Sequence, residues 1–465
     1  MPYIVIEDFS GGLDLRKSAV TARPTSMRTL TNCYVNAGGE IEKRKAFTTW
    51  FTAAQMVPGE THGIAGSSGA LYTFGAGARP AALNTGVNYM RLNGVGTIVR
   101  IRDADVFDGK LYVVAETTGG VLQHFYDGNL VNTAPPSGIV RTYRSRMWAV
   151  AGDTLFYSAL NNPADWSVSA GGGSINLDTQ DVGTLCLRGL EAYYDLLAVM
   201  GRRGVQLWSI NEDPARNQVI QSLGNAGLVG EKAYARVGDG DVLFLSDSGI
   251  RSLRARDSSN AASVIDIGSP LDDLVRAQLT TDPAGVVQGF MPDIQSVVEP
   301  ETGQFWMAWG STIYVLSIVP STRIVAWSTY TLPSPINYIT PVGGRLFIRS
   351  GDTVTLYGGQ NGTAYDSSQA EVTTAMISAG TPATDKMWQS LDIACEGTWA
   401  VEVATDPAQP TVFEAVGTIT GPTFGIQKIG LQNFGTHIAL RLRSTSASRA
   451  RLGQIILHYE TGDQG

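Results

Sequence analysis

Arg146–Ser158 reads RMWAVAGDTLFYS, which is two short runs of aliphatic, aromatic and β-branched residues on either side of Gly152-Asp153. Large apolar side chains recur at alternate positions, the period expected of a strand that packs one face on a core. Gly-Asp has the composition of a tight turn between two antiparallel strands. The stretch therefore predicts a β-hairpin.

Variants of this phrase recur along the chain at intervals of roughly 35–60 residues, the spacing of propeller blades rather than of helical repeats. They are Leu196–Ile210, Val242–Ala255, Gln304–Ser317 and Arg345–Gly358, with looser copies at Ala70–Gly77 and Leu111–Tyr126. A two-stranded hairpin is not stable alone, so each copy is expected to be half of a four-stranded blade. The repeats predict an all-β protein in which residues 61–365 form a β-propeller of six or seven blades.

The composition limits what the chain can bind. Its 465 residues include 34 Lys and Arg against 42 Asp and Glu, a net charge of −8. Surfaces that bind nucleic acid generally are basic, so broad DNA affinity is not expected. Cys33, Cys186 and Cys395 are few and far apart, which predicts free thiols and synthesis in a reducing cytoplasm. No run of 18 apolar residues and no signal peptide stand out, so neither a membrane span nor export is expected.

Residues 366–465 have a different sequence pattern from the repeats. Turn residues separate seven short strand-like segments. The predicted strands are Glu371–Ser378, Met387–Cys395, Trp399–Thr405, Phe413–Thr418, Gln427–Leu431, Thr436–Arg443 and Leu452–Tyr459. This number of strands in about 100 residues favours a β-sandwich. Leu440 and Leu442 alternate with Arg441 and Arg443, so the two arginines are expected on the face opposite the core.

None of the motifs that carry catalysis is complete in this sequence. Asp103, Asp105 and Asp108 have nearly the spacing of a calcium loop, but the bidentate glutamate is missing, and turn capping is the better interpretation. Ser246–Gly249 resembles part of a sialidase Asp box without its terminal Thr-Trp. The four histidines are dispersed, and no Gly-x-Ser-x-Gly elbow is present. We therefore expect no enzyme activity, no metal and no cofactor.

Tryptophans on the recurring strands have two interpretations. They are Trp148, Trp208, Trp306, Trp309 and Trp327. In a propeller, large rings on alternating strand positions fill the wedges between blades. A stacking platform for a sugar or a base is the alternative, and the core interpretation is the stronger one.

Residues 1–60 are expected to form an arm outside the propeller. Tyr3–Ile6 predicts a strand, and Ser26–Asn32 predicts a brief helical turn. A hairpin follows, with its turn at Gly38-Gly39. The arm is expected to dock on a partner.

The order of motifs in this arm resembles the opening of the tail nozzle, or tail-hub, proteins of short-tailed bacteriophages. The matching positions are Phe9-Ser10-Gly11-Gly12-Leu13, Pro24, Asn32–Asn36, Gly38-Gly39 and Lys43-Arg44. Later phrases are similar to the family's propeller: Leu155–Ser158 leading to Asn162–Trp166, Asp247–Leu253, and Ala326–Tyr330. Lys45-Ala46-Phe47 departs from the family's usual Pro-Gly-Phe-like ending.

The resemblance implies a structural virion protein in the phage tail. It implies a homohexameric ring that extends the DNA-ejection channel below the portal and the head-to-tail adaptor. A tail fibre, tailspike or needle would be a further partner, and genomic DNA would pass without sequence-specific binding. The candidate docking residues are Phe9, Gly11, Gly12, Leu13, Arg16, Lys43, Arg44, Arg441 and Arg443.

A carbohydrate-binding or glycoside-cleaving propeller is the alternative function. Glycoside cleavage requires two carboxyl groups about 5–10 Å apart across a pocket, an arrangement that the sequence leaves open.

Overall fold

A computed structural model of the chain describes residues 2–177, 185–224, 227–255, 262–281, 291, 294–423 and 427–461. Within these ranges nearly every regular element is a β-strand. The helical pieces are α1 (Ala53–Met56), α2 (Asp272–Leu279) and three 3-10 turns at Val168–Ala170, Pro214–Arg216 and Ser269–Leu271. The chain is an all-β protein, as predicted.

Five strands precede the first blade. They are β1 (Tyr3–Ile6), β2 (Met27–Thr31), β3 (Cys33–Val35), β4 (Ile41–Lys43) and β5 (Phe47–Phe51). The strand at Tyr3–Ile6 and the hairpin around Gly38-Gly39 are confirmed. The predicted helical turn over residues 26–32 is wrong, because Met27 and Leu30 are fully buried and β2 is hydrogen-bonded within a sheet.

Seven groups of hydrogen-bonded strands follow and form a seven-bladed propeller. Blade 1 is β6 (His62–Ser67), β7 (Ala70–Gly75) and β8 (Asn88–Arg91); blade 2 is β9 (Ile98–Phe107), β10 (Lys110–Thr117), β11 (Val121–Tyr126) and β12 (Asn129–Leu130). Blade 3 is β13 (Ile139–Tyr143), β14 (Arg146–Ala151), β15 (Thr154–Tyr157) and β16 (Gly173–Asn176); blade 4 is β17 (Leu187–Tyr193), β18 (Leu196–Gly201), β19 (Gly204–Ser209) and β20 (Gln218–Gly224). Blade 5 is β21 (Tyr234–Val237), β22 (Asp241–Ser246), β23 (Gly249–Ala255) and β24 (Ala262–Ile265). Blade 6 is β25 (Ile294–Val298), β26 (Phe305–Trp309), β27 (Thr312–Val319) and β28 (Ile324–Thr331); blade 7 begins with β29 (Tyr338–Val342), β30 (Arg345–Ser350) and β31 (Thr353–Tyr357).

The ring of blades closes on itself. The first strands of successive blades contact one another in order, and the first strand of blade 7 contacts that of blade 1. The outermost strand of blade 7 is β5, which pairs antiparallel with β31. A strand from before the first blade therefore completes the last one.

The recurring sequence phrase corresponds to the second and third strands of a blade. Arg146–Ser158 forms β14 and β15, and Gly152 takes a φ of +60° in the two-residue turn between them. The other copies form the same pair in blades 2 and 4–7, but Ala70–Gly77 contributes only β7, which pairs parallel with β8. The predicted hairpins are thus the central strands of six blades.

Apolar side chains fill the wedge between each pair of neighbouring blades. Trp148 and Trp208 lie between blades 3 and 4, whereas Trp306 lies between blades 6 and 7. All five tryptophans on the recurring strands are at most 6% exposed. They form part of the core, which confirms the stronger of the two interpretations.

Seven more strands complete the chain as part of a β-sandwich. They are β32 (Ala370–Thr374), β33 (Lys386–Glu396), β34 (Thr398–Ala404), β35 (Glu414–Thr420), β36 (Gln427–Gly435), β37 (Ala439–Ser444) and β38 (Arg451–Thr461). One sheet has the order β3-β4-β38-β33-β36, with β1 also paired to β38. The other has the order β2-β32-β37-β34-β35 and joins blade 6 through a pairing of β2 with β28. The two sheets share one apolar core.

The sheets do not follow the predicted boundaries at residues 60 and 366. Strands β1, β3 and β4 belong to one sheet of the sandwich, and β2 belongs to the other. Strand β5 belongs to blade 7. The arm of residues 1–60 is therefore not a separate unit, because its backbone hydrogen bonds are made with strands from the far end of the chain.

Candidate functional site

The Gly-Gly segment, residues 9–16, lies between the sandwich and the propeller. Phe9 is fully buried in the shared core and Leu13 is 3% exposed. The Leu13 amide donates to the carbonyl oxygen of Trp327 on β28 at 2.8 Å, and the Leu15 amide donates to that of Pro270 at 2.9 Å. The segment that carries the family resemblance thus ties the sandwich to blade 6 and to the loop before α2.

Glycine is required at both central positions of this segment. Gly12 has a φ of +54°, and a Cβ there would lie 2.8 Å from the Trp327 nitrogen and 2.9 Å from the Ala326 Cα. A Cβ on Gly11 would lie 2.7 Å from the carbonyl oxygen of Thr25. Because the clashing atoms include backbone, a side chain at Gly12 would push the segment off blade 6, and a side chain at Gly11 would push it away from Thr25.

Arg16 is the exposed end of the Gly-Gly segment. Its side chain is 53% exposed and forms an ion pair with Asp14, at 2.6 Å between Nη2 and Oδ2. This hydrogen bond lowers the pKa of Asp14. A docking role for Gly11, Gly12 and Arg16 stays a prediction.

Lys43 and Arg44 are buried rather than displayed. The Lys43 side chain is inaccessible, and its Nζ donates to the carbonyl oxygens of Asp366 at 2.7 Å and of Ser446 at 2.6 Å. Arg44 donates to Asn32 Oδ1 at 3.0 Å and to Asp366 Oδ2 at 2.9 Å. The predicted docking role does not fit these two residues, nor Phe9 and Leu13, because the chain itself already encloses all four.

Arg441 and Arg443 lie on the outer face of the sandwich, as the alternation with Leu440 and Leu442 predicts. Both arginines form ion pairs with Glu402, and Arg443 also lies 3.4 Å from Glu371. They are therefore paired with carboxylates of their own chain. Their role at a subunit or adaptor contact stays a prediction.

The axis of the propeller is crossed by two ion pairs. Arg102 on blade 2 donates to Glu231 at 2.6 Å, and Lys232 donates to Asp103 of blade 2 at 2.7 Å. Residues 231 and 232 immediately precede β21 of blade 5, and blades 2 and 5 are not neighbours in the ring. Contacts between them must span the central space, so the axis of a single chain is not an open tube.

Asp103 and Asp105 connect blades instead of capping a turn. Both lie on the inner strand β9, where Asp103 accepts from the Val140 amide at 3.0 Å and Asp105 accepts from the Thr142 amide at 2.6 Å. The predicted turn capping is wrong for Asp103 and Asp105, because their carboxylates accept from amides of the next blade, whereas Asp108 lies in the turn between β9 and β10. Among the described residues, no three His, Cys, Asp or Glu side chains are grouped as metal ligands.

A cavity of ≈ 270 Å³ opens at one mouth of the axis. His62, Tyr338, Glu231 and Asp352 are among the residues that line it. Burial raises the pKa of Glu231, while the charge of Arg102 acts in the opposite direction. Burial also lowers the pKa of His62. The cavity has the mixed polar and apolar lining of a small-ligand site.

Sequence reasoning missed these axial residues. The available signal was the alternation of charged residues along β9, with Arg100 and Arg102 on one face and Asp103 and Asp105 on the other. Such alternation indicates a polar neighbour but does not say which blade provides it. Glu231 and Lys232 lie more than 100 residues away in the sequence and carry no motif.

No family model matches the chain, and no curated protein matches it. Among solved structures, it is similar to a chain described as the extracellular domain of a one component system from B. thetaiotaomicron, at 10% identity and a TM-score of 0.44. That alignment covers 86% of this chain and 60% of the other. It is also similar to the N-terminal domain of Nup159, at 9% identity and a TM-score of 0.36, covering 73% of this chain and 99% of that one.

No helix within the described ranges combines the length and the hydropathy that a membrane crossing requires.

Proposed function

We propose that this protein is a structural subunit of a phage tail nozzle, assembled as a homohexameric ring around the path of the ejected DNA. The observation that carries the proposal is the Phe9–Leu13 motif and its ordered companions along the chain. Support comes from the place of that motif, since its glycines and its Leu13 amide join two β-domains into one body. Two domains joined in this way suit a subunit of a ring wall that must keep its shape while DNA is ejected.

The channel would lie between subunits, because ion pairs from Arg102 and Lys232 cross the axis of the propeller. A DNA channel must not bind tightly the DNA that passes through it. Each Lys or Arg that contacts a phosphate adds affinity by releasing counterions, and a six-fold ring repeats every contact six times. With a net charge of −8 per chain, a neutral or acidic lumen is expected, with genomic DNA passing and no base-specific contact.

The adaptor and a fibre, spike or needle protein are the proposed neighbours in the virion, after synthesis in the host cytoplasm. Cryo-electron microscopy of tail particles tests this: six copies should surround the channel coaxially with the portal. Absence of the chain from particles would overturn the proposal. Binding of a 30-base-pair duplex at 150 mM salt should be too weak to measure at micromolar protein, and tight binding would contradict the lumen argument.

A glycan-binding or glycan-cleaving propeller is the second candidate, favoured by the axial cavity with Glu231 and Asp352. Two carboxyl groups on one cavity, one of them with a raised pKa, are what acid-catalysed glycoside cleavage uses. The test is release of reducing ends from host surface polysaccharide, compared between the wild type and Glu231→Gln. Cleavage that the substitution abolishes would favour this function over the first.

A further inference from the structure

The sandwich sheet that contains β1 ends in an open edge strand on both sides. Strand β1 pairs only with β38 among the described strands, and β36 pairs only with β33. The close contacts of β35 reach the core-facing side of β36 through Ile429 and Asn433. Edge strands with free amide and carbonyl groups readily pair with a further strand.

The free groups of β1 can be assigned to individual residues. The Tyr459 amide donates to the Pro2 carbonyl at 3.1 Å, so Pro2 is opposite Tyr459 in a hydrogen-bonded pair. Such pairs alternate along an antiparallel ladder. Ile4 and Ile6 therefore bond to β38, whereas the amides and carbonyls of Tyr3 and Val5 point away from the sheet.

The two edges run in opposite directions. Strands β1, β38, β33 and β36 are joined by three successive antiparallel pairings. Two copies can therefore be placed with the outer faces of their sheets on the same side. In that arrangement β36 of one copy runs antiparallel to β1 of the other. This is the more stable way for two strands to pair.

The side chains of the two edges are also complementary. Tyr3 is 62% exposed on the outer face, and Gly430 of β36 has open space where its side chain would be. Glu7 is exposed beyond the end of β1, and Lys428 is exposed near the start of β36. Lys428, Asp392, Ile456 and Val5 share one row across the sheet, so continuing that row places Lys428 beside Val5 of the next copy and diagonal to Glu7.

We propose that β1 of one copy pairs with β36 of the next, so that this sheet continues from subunit to subunit around the ring. The inference rests on the ring of the proposed function and names its contact surface. The contact is head-to-tail, which closes into a ring when the rotation between copies allows it.

Val5→Pro tests the contact by removing one outward amide. Proline is tolerated on an edge strand where its nitrogen faces solvent, so the internal ladder should survive. Sedimentation velocity of the full chain should show assembly at least 10-fold weaker for Val5→Pro than for wild type, with an unchanged melting temperature. Val5→Ala keeps the amide and should assemble like the wild type. Normal rings from Val5→Pro would overturn the inference.

A charge exchange supplies an independent test. Glu7→Lys and Lys428→Glu should each weaken assembly several-fold, and the double variant should recover most of the loss. A double variant no better than either single one would overturn the register.

The two proposals can fail separately. A reconstruction that shows six-fold rings with β1 and β36 far apart, or with another tail protein paired to β1, overturns this inference and leaves the proposed function. Absence of the chain from tail particles overturns the function itself.

Discussion

Arg349 closes the propeller at the level of a single side chain. It is 3% exposed, and its guanidinium donates to the carbonyl oxygens of Thr61 and Gly63 on blade 1 at 3.0 Å each. On its own blade it donates to the Gly351 carbonyl at 2.9 Å and pairs with Asp352 at 2.7 Å. The side chain thus satisfies backbone oxygens on both sides of the junction between blades 7 and 1.

Arg349→Met should destabilise the protein by about 3–5 kcal/mol, because Asp352 and the buried carbonyls of Thr61 and Gly63 lose their donors. Arg216 is the matched control, since its side chain is 75% exposed and its ion pair with Asp213 is long, at 3.7 Å. Arg216→Met should change the free energy of unfolding by less than about 0.5 kcal/mol. Urea titration measures both, and equal losses would contradict the role given to Arg349.

His124 is a buried base with two partners. Its Nε2 lies 2.9 Å from the Ser137 carbonyl, which only accepts, so Nε2 carries the proton. Its Nδ1 therefore accepts from the hydroxyl of Tyr112 at 3.0 Å, and that hydroxyl in turn accepts from Trp166 Nε1 at 3.2 Å. Burial lowers the pKa of His124 to about 4.

Acid should therefore destabilise the protein through His124. The unfolded chain has a histidine pKa of about 6.5, so between pH 6.5 and 4 it binds more protons than the folded chain. The stabilisation is complete above pH 6.5 and is lost as the pH falls towards 4, by up to about 3 kcal/mol. Burial raises the pKa of Asp241 to about 6, and that group acts in the opposite direction.

The comparison of wild type with His124→Gln isolates the histidine from such other groups. The stability difference between the two proteins should be largest at pH 7.5 and should shrink by pH 4.5 in urea titrations. A difference that is constant with pH would contradict the assignment.

At the scale of elements, β5 differs in its positions in the sequence and in the fold. It is the last strand before the repeats, and it is the outermost strand of blade 7. Phe51 on β5 is 4% exposed and packs with Val354 and Leu356 of β31. A propeller without β5 would expose both these apolar residues and the free edge of β31.

Fragments test this element directly. Residues 46–365 retain β5, whereas residues 61–365 follow the boundary predicted from the sequence and lack it. The longer fragment should melt at a higher temperature and bind less of a hydrophobic dye, because its last blade has four strands. Equal behaviour of the two fragments would show that β5 does not close the ring.

Local pattern explains which elements the sequence revealed. Arg146–Ser158 and its four close copies are strands joined by two-residue turns, so the information lies within about 15 residues. The seven strands of residues 366–465 were likewise found at nearly their observed positions. Strand β2 was missed because its partner β32 lies more than 300 residues away, and its five residues carry no clear alternation.

The candidate site was less predictable for a related reason. Charge type is visible in a sequence, but the partner of a charge is not. Lys43 and Arg44 look like a basic surface pair. Both side chains are nevertheless buried, where they donate to carbonyl oxygens and to Asp366. Arg441 and Arg443 were placed on the correct face by alternation alone, while Glu402 as their shared partner needed the structure.

At the scale of the whole molecule, the three cysteines are free, as predicted. Cys33 and Cys395 are buried, and burial raises the pKa of both thiols. Cys186 is exposed.

Thiol titration should therefore proceed in two stages. The native protein should show one fast-reacting thiol, from Cys186, because a buried thiol of raised pKa is rarely a thiolate. The unreduced protein in denaturant should show three. Cys186→Ser should remove the fast phase and leave a total of two, and a fast phase that survives would contradict the burial of Cys33 and Cys395.

The order in which the two domains can be completed during synthesis follows from the positions of the strands that pair with β1 to β5. The ribosome delivers these strands before their distant partners. Strand β5 must wait for β31, β1 and β4 must wait for β38, and β2 must wait for β28 and β32. At about 5–20 residues per second, roughly 400 residues take some 20–80 s. During that time the N-terminal strands have unpaired edges, which chaperones can shield. Completion of both domains thus depends on residues 370–461, and a chain cut short before them would leave the sandwich strands β1, β2 and β4 without these partners.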